Sequence, residues 1–142
     1  MDVTIVSDPQ LFKRRTTVLV VEDDHDLRAS FRTSLALAGY LVREAPDGLH
    51  ALRQIDQEAP DLVVLDLMLP NLSGLDVHNE ISSNIYTCTI PIVVVTGMPL
   101  DVDHLPVSCI LHKPVMPEEL VIAVERSLAS RDALLRRHSN GG

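Results

Sequence analysis

The stretch PDLVVLDLMLPNLSG, residues 60–74, decides how the chain folds. Leu62-Val63-Val64-Leu65 is apolar without alternation, the pattern of a parallel strand buried on both faces. Asp66 interrupts the apolar run, and Leu67, Met68 and Leu69 continue it. An ionised carboxylate among such neighbours is costly unless it is paired or held by a cation. Asp66 therefore either pairs or works.

Two further runs match the first: Val18-Leu19-Val20-Val21 and Ile92-Val93-Val94-Val95. Tyr40-Leu41-Val42 and Ser108-Cys109-Ile110-Leu111 are weaker strand candidates. Helical spacing fills the gaps. Leu27, Phe31, Leu35 and Ala38 lie on one stripe, and Gly39 stands where a helix-ending left-handed residue belongs. Residues 47–58 place Leu49, Leu52 and Ile55 on one face before Pro60, and residues 74–83 form a shorter candidate. A last helix starts at Pro117-Glu118-Glu119 and runs to about residue 135. Such alternation predicts right-handed βαβ crossovers and a parallel sheet covered by helices, with ligand chemistry beyond the carboxyl ends of the strands.

Reading each strand to its end places Glu22-Asp23-Asp24, Asp66, Thr96 and Lys113 at that one edge. Lys113 is the only lysine after Lys13, and Pro114 biases it toward an extended backbone. Clustered carboxylates raise one another's pKa, so a divalent cation is needed to keep them ionised. Mg²⁺, or Mn²⁺, suits a set of hard oxygen donors. One carboxylate then becomes a nucleophile toward phosphorus, with Lys113 and Thr96 placed to meet the phosphoryl oxygens.

Composition narrows the class. The chain has 142 residues, 46% of them apolar, with two Phe, two Tyr and no Trp, so one core of Val, Leu, Ile and Ala is expected. Residues 16–125 carry 17 acidic against five basic side chains, which disfavours phosphate-backbone binding and direct contact with nucleic acid. No apolar run has the roughly 18 residues of a membrane span, and the start resembles no signal peptide, so no membrane contact and a cytoplasmic location are expected. Cys88 and Cys109 are read as half-buried thiols, and the six histidines lack metal-ligand spacing.

VLVVEDD (18–24), PDLVVLDLMLPNLSG (60–74), IPIVVVTG (90–97) and HKP (112–114), in this order, resemble the receiver domain of two-component response regulators. The resemblance spans residues 17–129, leaving 1–16 as a flexible tail and 130–142 as a helix extension or linker stub. It implies a flavodoxin-like, doubly wound five-stranded parallel sheet of order 2-1-3-4-5 with helices on both faces. It further implies that Asp66 is the phosphoacceptor, served by a histidine kinase or phosphotransfer protein. Asp23, with Asp24 as the alternative register, would ligate Mg²⁺ directly, and Glu22 would act through water or hydrogen bonding. Asp66 and the backbone carbonyl of Met68 complete the protein ligands. Thr96 and Lys113 form the switch pair, and Gly97 leaves the approach open. The domain is thus expected to be a signalling module that catalyses its own phosphorylation and dephosphorylation and switches conformation to control an output domain or protein, with homodimer formation possible.

The chain also departs from the family pattern. Pro99 and Pro106 leave six residues between them, so the family's fourth helix is expected to be shortened or absent. Ile110 stands where the family has an aromatic switch residue, and Met68 and Met98 lie two beyond Asp66 and Thr96. A phosphohydrolase of the dehalogenase type needs an acid at position 68 and is disfavoured. A pseudo-receiver that only docks partners is the remaining alternative.

Overall fold

The computed structural model describes residues 15–97 and 105–140, with side chains to residue 137. Its elements, in chain order, are β1 (Thr17–Val21), α1 (His25–Leu37), β2 (Leu41–Ala45), α2 (Gly48–Gln57), β3 (Leu62–Asp66), α3 (Gly74–Ser83), β4 (Ile92–Thr96), β5 (Cys109–His112) and α4 (Pro117–Asn140). The five strands are parallel in the order β2-β1-β3-β4-β5. This is the flavodoxin-like, doubly wound order.

Strand pleating divides the core in two, because successive side chains point to opposite faces. Val18, Val20, Leu62, Val64, Val93 and Val95 meet α1 and α4 through Phe31, Leu35, Leu120 and Val124. Leu19, Val21, Val63, Leu65 and Val94 meet α2 and α3 through Ala51, Ile55, Val77 and Ile81. Every residue of β1, β3 and β4 is buried, which is why those runs lack polar alternation. At about 1.5–3 kcal/mol for each fully buried large aliphatic side chain, this burial is the main force holding the helices to the sheet.

Caps set the helix starts. Asp24 accepts from the backbone N–H groups of Asp26 and Leu27, Asp47 from that of His50, and Ser73 from that of Asp76. After α1, Gly39 adopts φ +103°, which a side chain would strain.

Three elements and one cysteine differ from the sequence expectation. The edge strand β2 runs Leu41–Ala45, further than Tyr40-Leu41-Val42, because its Arg43 and Glu44 lie on a half-exposed edge where apolar residues are not required. β5 is Cys109–His112, shifted by one residue. Helix α4 continues to Asn140 rather than about 135. Arg131 ties it down by donating from Nη1 to the Asp61 carbonyl at 3.0 Å. Of the two cysteines, Cys109 is half-buried but Cys88 is exposed, since it follows α3 in a surface turn.

Among the described residues there are four helices, none between β4 and β5. The rest of that connection, residues 98–104 with Met98 and Pro99, lies outside the described residues, as does nearly all of the tail 1–16. Among the described residues no helix is long and apolar enough to cross a membrane.

Candidate functional site

Three strands end in polar residues at one edge of the sheet. Asp66 is the last residue of β3, Thr96 the last of β4, and Glu22 follows β1 directly. Lys113 follows β5 and donates its backbone N–H to the Thr96 carbonyl at 2.8 Å. The Lys113–Pro114 peptide is cis.

Burial sharpens the chemistry. Glu22 and Asp66 are each only 2% exposed, and Thr96 is fully buried. The Lys113 ammonium enters between the two carboxylates, 3.0 Å from Glu22 Oε1 and 3.1 Å from Asp66 Oδ2. Desolvation works against the ammonium, but hydrogen bonds and charge attraction from Glu22 and Asp66 outweigh it and raise the Lys113 pKa. Glu22 shows the converse. Burial pushes its carboxyl up to about 7; pairing with Lys113 opposes this, and the neighbouring Asp66 charge adds to it.

The remaining oxygens are held by backbone. Asp66 Oδ1 accepts from the Met68 N–H at 2.9 Å. Glu22 Oε2 accepts from the Asp24 N–H at 3.2 Å. Glu22 Oε1 has the nearby ammonium but no well-aligned hydrogen bond, which leaves a buried acceptor with capacity to spare.

That spare acceptor bears on whether a cation fits. Glu22, Asp23 and Asp66 each bring a carboxylate oxygen into a group spanning no more than 4.8 Å. Asp23 is exposed, so the group opens to solvent on one side. An all-oxygen, multiply charged donor set with open access matches a hard divalent ion that keeps part of its water shell. The residues present therefore fit Mg²⁺ or Mn²⁺.

Asp24, the alternative to Asp23, spends its side chain on capping α1 and does not belong to that group. Met68 is 57% exposed beside the site, not shut inside it.

Sequence reasoning passed over Gly74. A Cβ there would run into the Asp66 carbonyl and Leu67 Cα, and the Gly74 N–H donates to the Leu67 carbonyl at 3.0 Å. Only glycine lets α3 start so close to the end of β3. Its place in the turn after Asp66 was visible in the sequence, but the contact is made in three dimensions.

The family model described as the response regulator receiver domain matches residues 18–125. The response regulator MprA of Mycobacterium ulcerans is 40% identical over 131 residues, 84% of this chain and 50% of that protein. The chain thus spans about half the length of the curated relatives it matches. A response regulator receiver domain protein from Clostridium thermocellum superimposes with a TM-score of 0.75 at 25% identity, over 84% of this chain and 98% of that one. A CheY-like receiver domain protein from Methanospirillum hungatei gives 0.79 at 22% identity, over 84% and 98%, and supports the fold alone.

Proposed function

The chain belongs to the response regulator receiver family of two-component systems, and from that premise we propose that Asp66 accepts a phosphoryl group from a histidine kinase or histidine phosphotransfer protein. The observation that carries this reading is the buried Asp66 carboxylate at a strand end, held by the Met68 N–H and facing Lys113.

In the proposed step an Asp66 oxygen attacks phosphorus as the phosphohistidine N–P bond breaks, and the imidazole leaves with its electron pair. The Met68 N–H holds one Asp66 oxygen and so orients the carboxylate. Lys113, already within ion-pair distance of Asp66, neutralises charge on the transferring oxygens. Thr96, at the end of the adjacent strand, donates a hydrogen bond to one of them. Glu22, Asp23, Asp66 and the Met68 carbonyl would hold Mg²⁺, which when bound supplies further positive charge to the phosphoryl group.

Thr96 and Lys113 then form the switch. Their backbones are already joined between β4 and β5, so a shift of either toward the phosphoryl group is felt along that edge of the sheet. We place the domain in the cytoplasm, upstream of an output domain or protein, with the edge containing β5 and α4 as the face that changes and a homodimer as one possible form of the switched state.

The test is chemical trapping. An aspartyl phosphate is a mixed anhydride that borohydride reduces to homoserine. After phosphotransfer from a phosphorylated histidine phosphotransfer protein in Mg²⁺, peptide mass spectrometry is expected to find homoserine at position 66. Trapping at another residue, or none with efficient donors, would contradict the reading.

A further inference from the structure

Arg28 of α1 reaches the backbone of the acidic loop. Its side chain is only 14% exposed. Nη1 donates to the backbone carbonyl of Glu22 at 2.8 Å, and Nε donates to Glu44 Oε1 at 3.2 Å. Glu44 is itself fixed, since its other carboxylate oxygen accepts from Arg32 at 3.0 Å and its backbone carbonyl from Gln54 at 2.6 Å.

The geometry at Glu22 explains what this bond does. The Glu22 N–H makes the last contact with β2, donating to the Ala45 carbonyl at 3.1 Å. β2 ends at Ala45, and the Glu22 carbonyl is taken by Arg28. Because a peptide unit is planar, holding that carbonyl also sets the nitrogen of Asp23 and the direction in which its Cα leaves. The carboxylates on either side of this one peptide are the two that gather beside Asp66.

We infer that Arg28 is a positioning residue for the divalent cation, fixing the Glu22–Asp23 peptide so that both carboxylates face Asp66, with Glu44 holding the guanidinium in place. The inference rests on the reading of this pocket as a cation site. Positioning and charge make opposite demands. A guanidinium so near the pocket repels a cation, so its removal strengthens binding if Arg28 acts only as charge, and weakens binding if it acts as a positioner.

The test is calorimetric titration with MgCl₂ of wild type, Arg28→Ala, Arg28→Lys, Asp23→Asn and Val124→Ala. Arg28→Ala is expected to bind Mg²⁺ about 10–100-fold more weakly, the usual loss when a group that orients metal ligands is removed. Arg28→Lys keeps the charge but lacks the planar fork needed to serve Glu44 and the carbonyl together, and is expected to lose affinity as well. It carries the test if the alanine variant does not fold. Val124→Ala, a buried core change, is expected to lower the melting temperature and leave Mg²⁺ affinity unchanged. Arginine variants that bind as tightly as wild type or more tightly overturn the inference, as does an equal loss in Val124→Ala. If the arginine variants bind as wild type does while Asp23→Asn does not bind, the cation site stands and only the role of Arg28 fails. A wild type that binds no Mg²⁺ overturns both.

Discussion

Lys113 Nζ lies 3.1 Å from Asp66 Oδ2, although 47 residues separate the two in the chain. The same ammonium lies 3.0 Å from Glu22, so one cation serves two buried carboxylates. Removing it should therefore cost stability as well as chemistry. In the absence of divalent ions, Lys113→Met is expected to lose about 2 kcal/mol. That is below the usual cost of breaking a buried pair, because the Lys113 side chain is 27% exposed and the pair is partly screened. Urea denaturation at pH 8 checks this, and added Mg²⁺ is expected to restore part of the loss. A variant as stable as wild type without Mg²⁺ would show that the pair contributes nothing.

The raised Glu22 carboxyl predicts a pH dependence with a definite sign. Its folded pKa is about 7 against an ordinary 4.5, so between these values the native state binds the extra proton. Stability then falls as pH rises through that window, and the loss is complete above pH 7. The full shift corresponds to at most about 3 kcal/mol. Without divalent cations, wild type is expected to lose stability relative to Glu22→Gln between pH 5 and pH 8. A stability difference that is constant across that range would contradict the prediction.

The turn after Asp66 leaves no room for a side chain at Gly74. Gly74→Ala is expected to cost about 1–3 kcal/mol as α3 is pushed from the end of β3. Because the obstructing atoms belong to Asp66 and Leu67, the same change is expected to slow phosphorylation. A thermal melt and a phosphorylation time course on the variant test both, and full rate with full stability would show that the turn adapts.

Met68 is expected to bear on a different property, the lifetime of the phosphorylated state. Met68 is 57% exposed, and its backbone N–H is bonded to Asp66, two residues before it in the chain. We expect Met68→Asn to shorten the aspartyl-phosphate lifetime a few-fold, about 1 kcal/mol in barrier. Following loss of the phosphoryl group by intact mass gives the answer. A lifetime equal to or longer than that of wild type would mean that Met68 does not shield the site.

What the sequence reveals and what it hides follow one physical rule. β1, β3 and β4 were legible because strands buried on both faces are written as unbroken apolar runs. The same runs pointed to Glu22, Asp66 and Thr96, since a polar residue at the end of a buried strand is conspicuous. β2 was only half legible, because an edge strand tolerates Arg43 and Glu44. Arg28 was invisible: a single arginine in an amphipathic helix reads as solvated charge, and its bond to Glu22 depends on how α1 packs across the end of β1. Gly74 was hidden for the same reason, its need for closeness being a property of the packed turn.

The central claim is that Asp66 is the phosphoacceptor, and intact-mass measurement tests it most directly. Wild type and Asp66→Asn are incubated with Mg²⁺ and a small-molecule phosphodonor. The account predicts a gain of one phosphoryl group in wild type and none in the variant; an equal gain in both, or no gain in wild type with any donor, would contradict it.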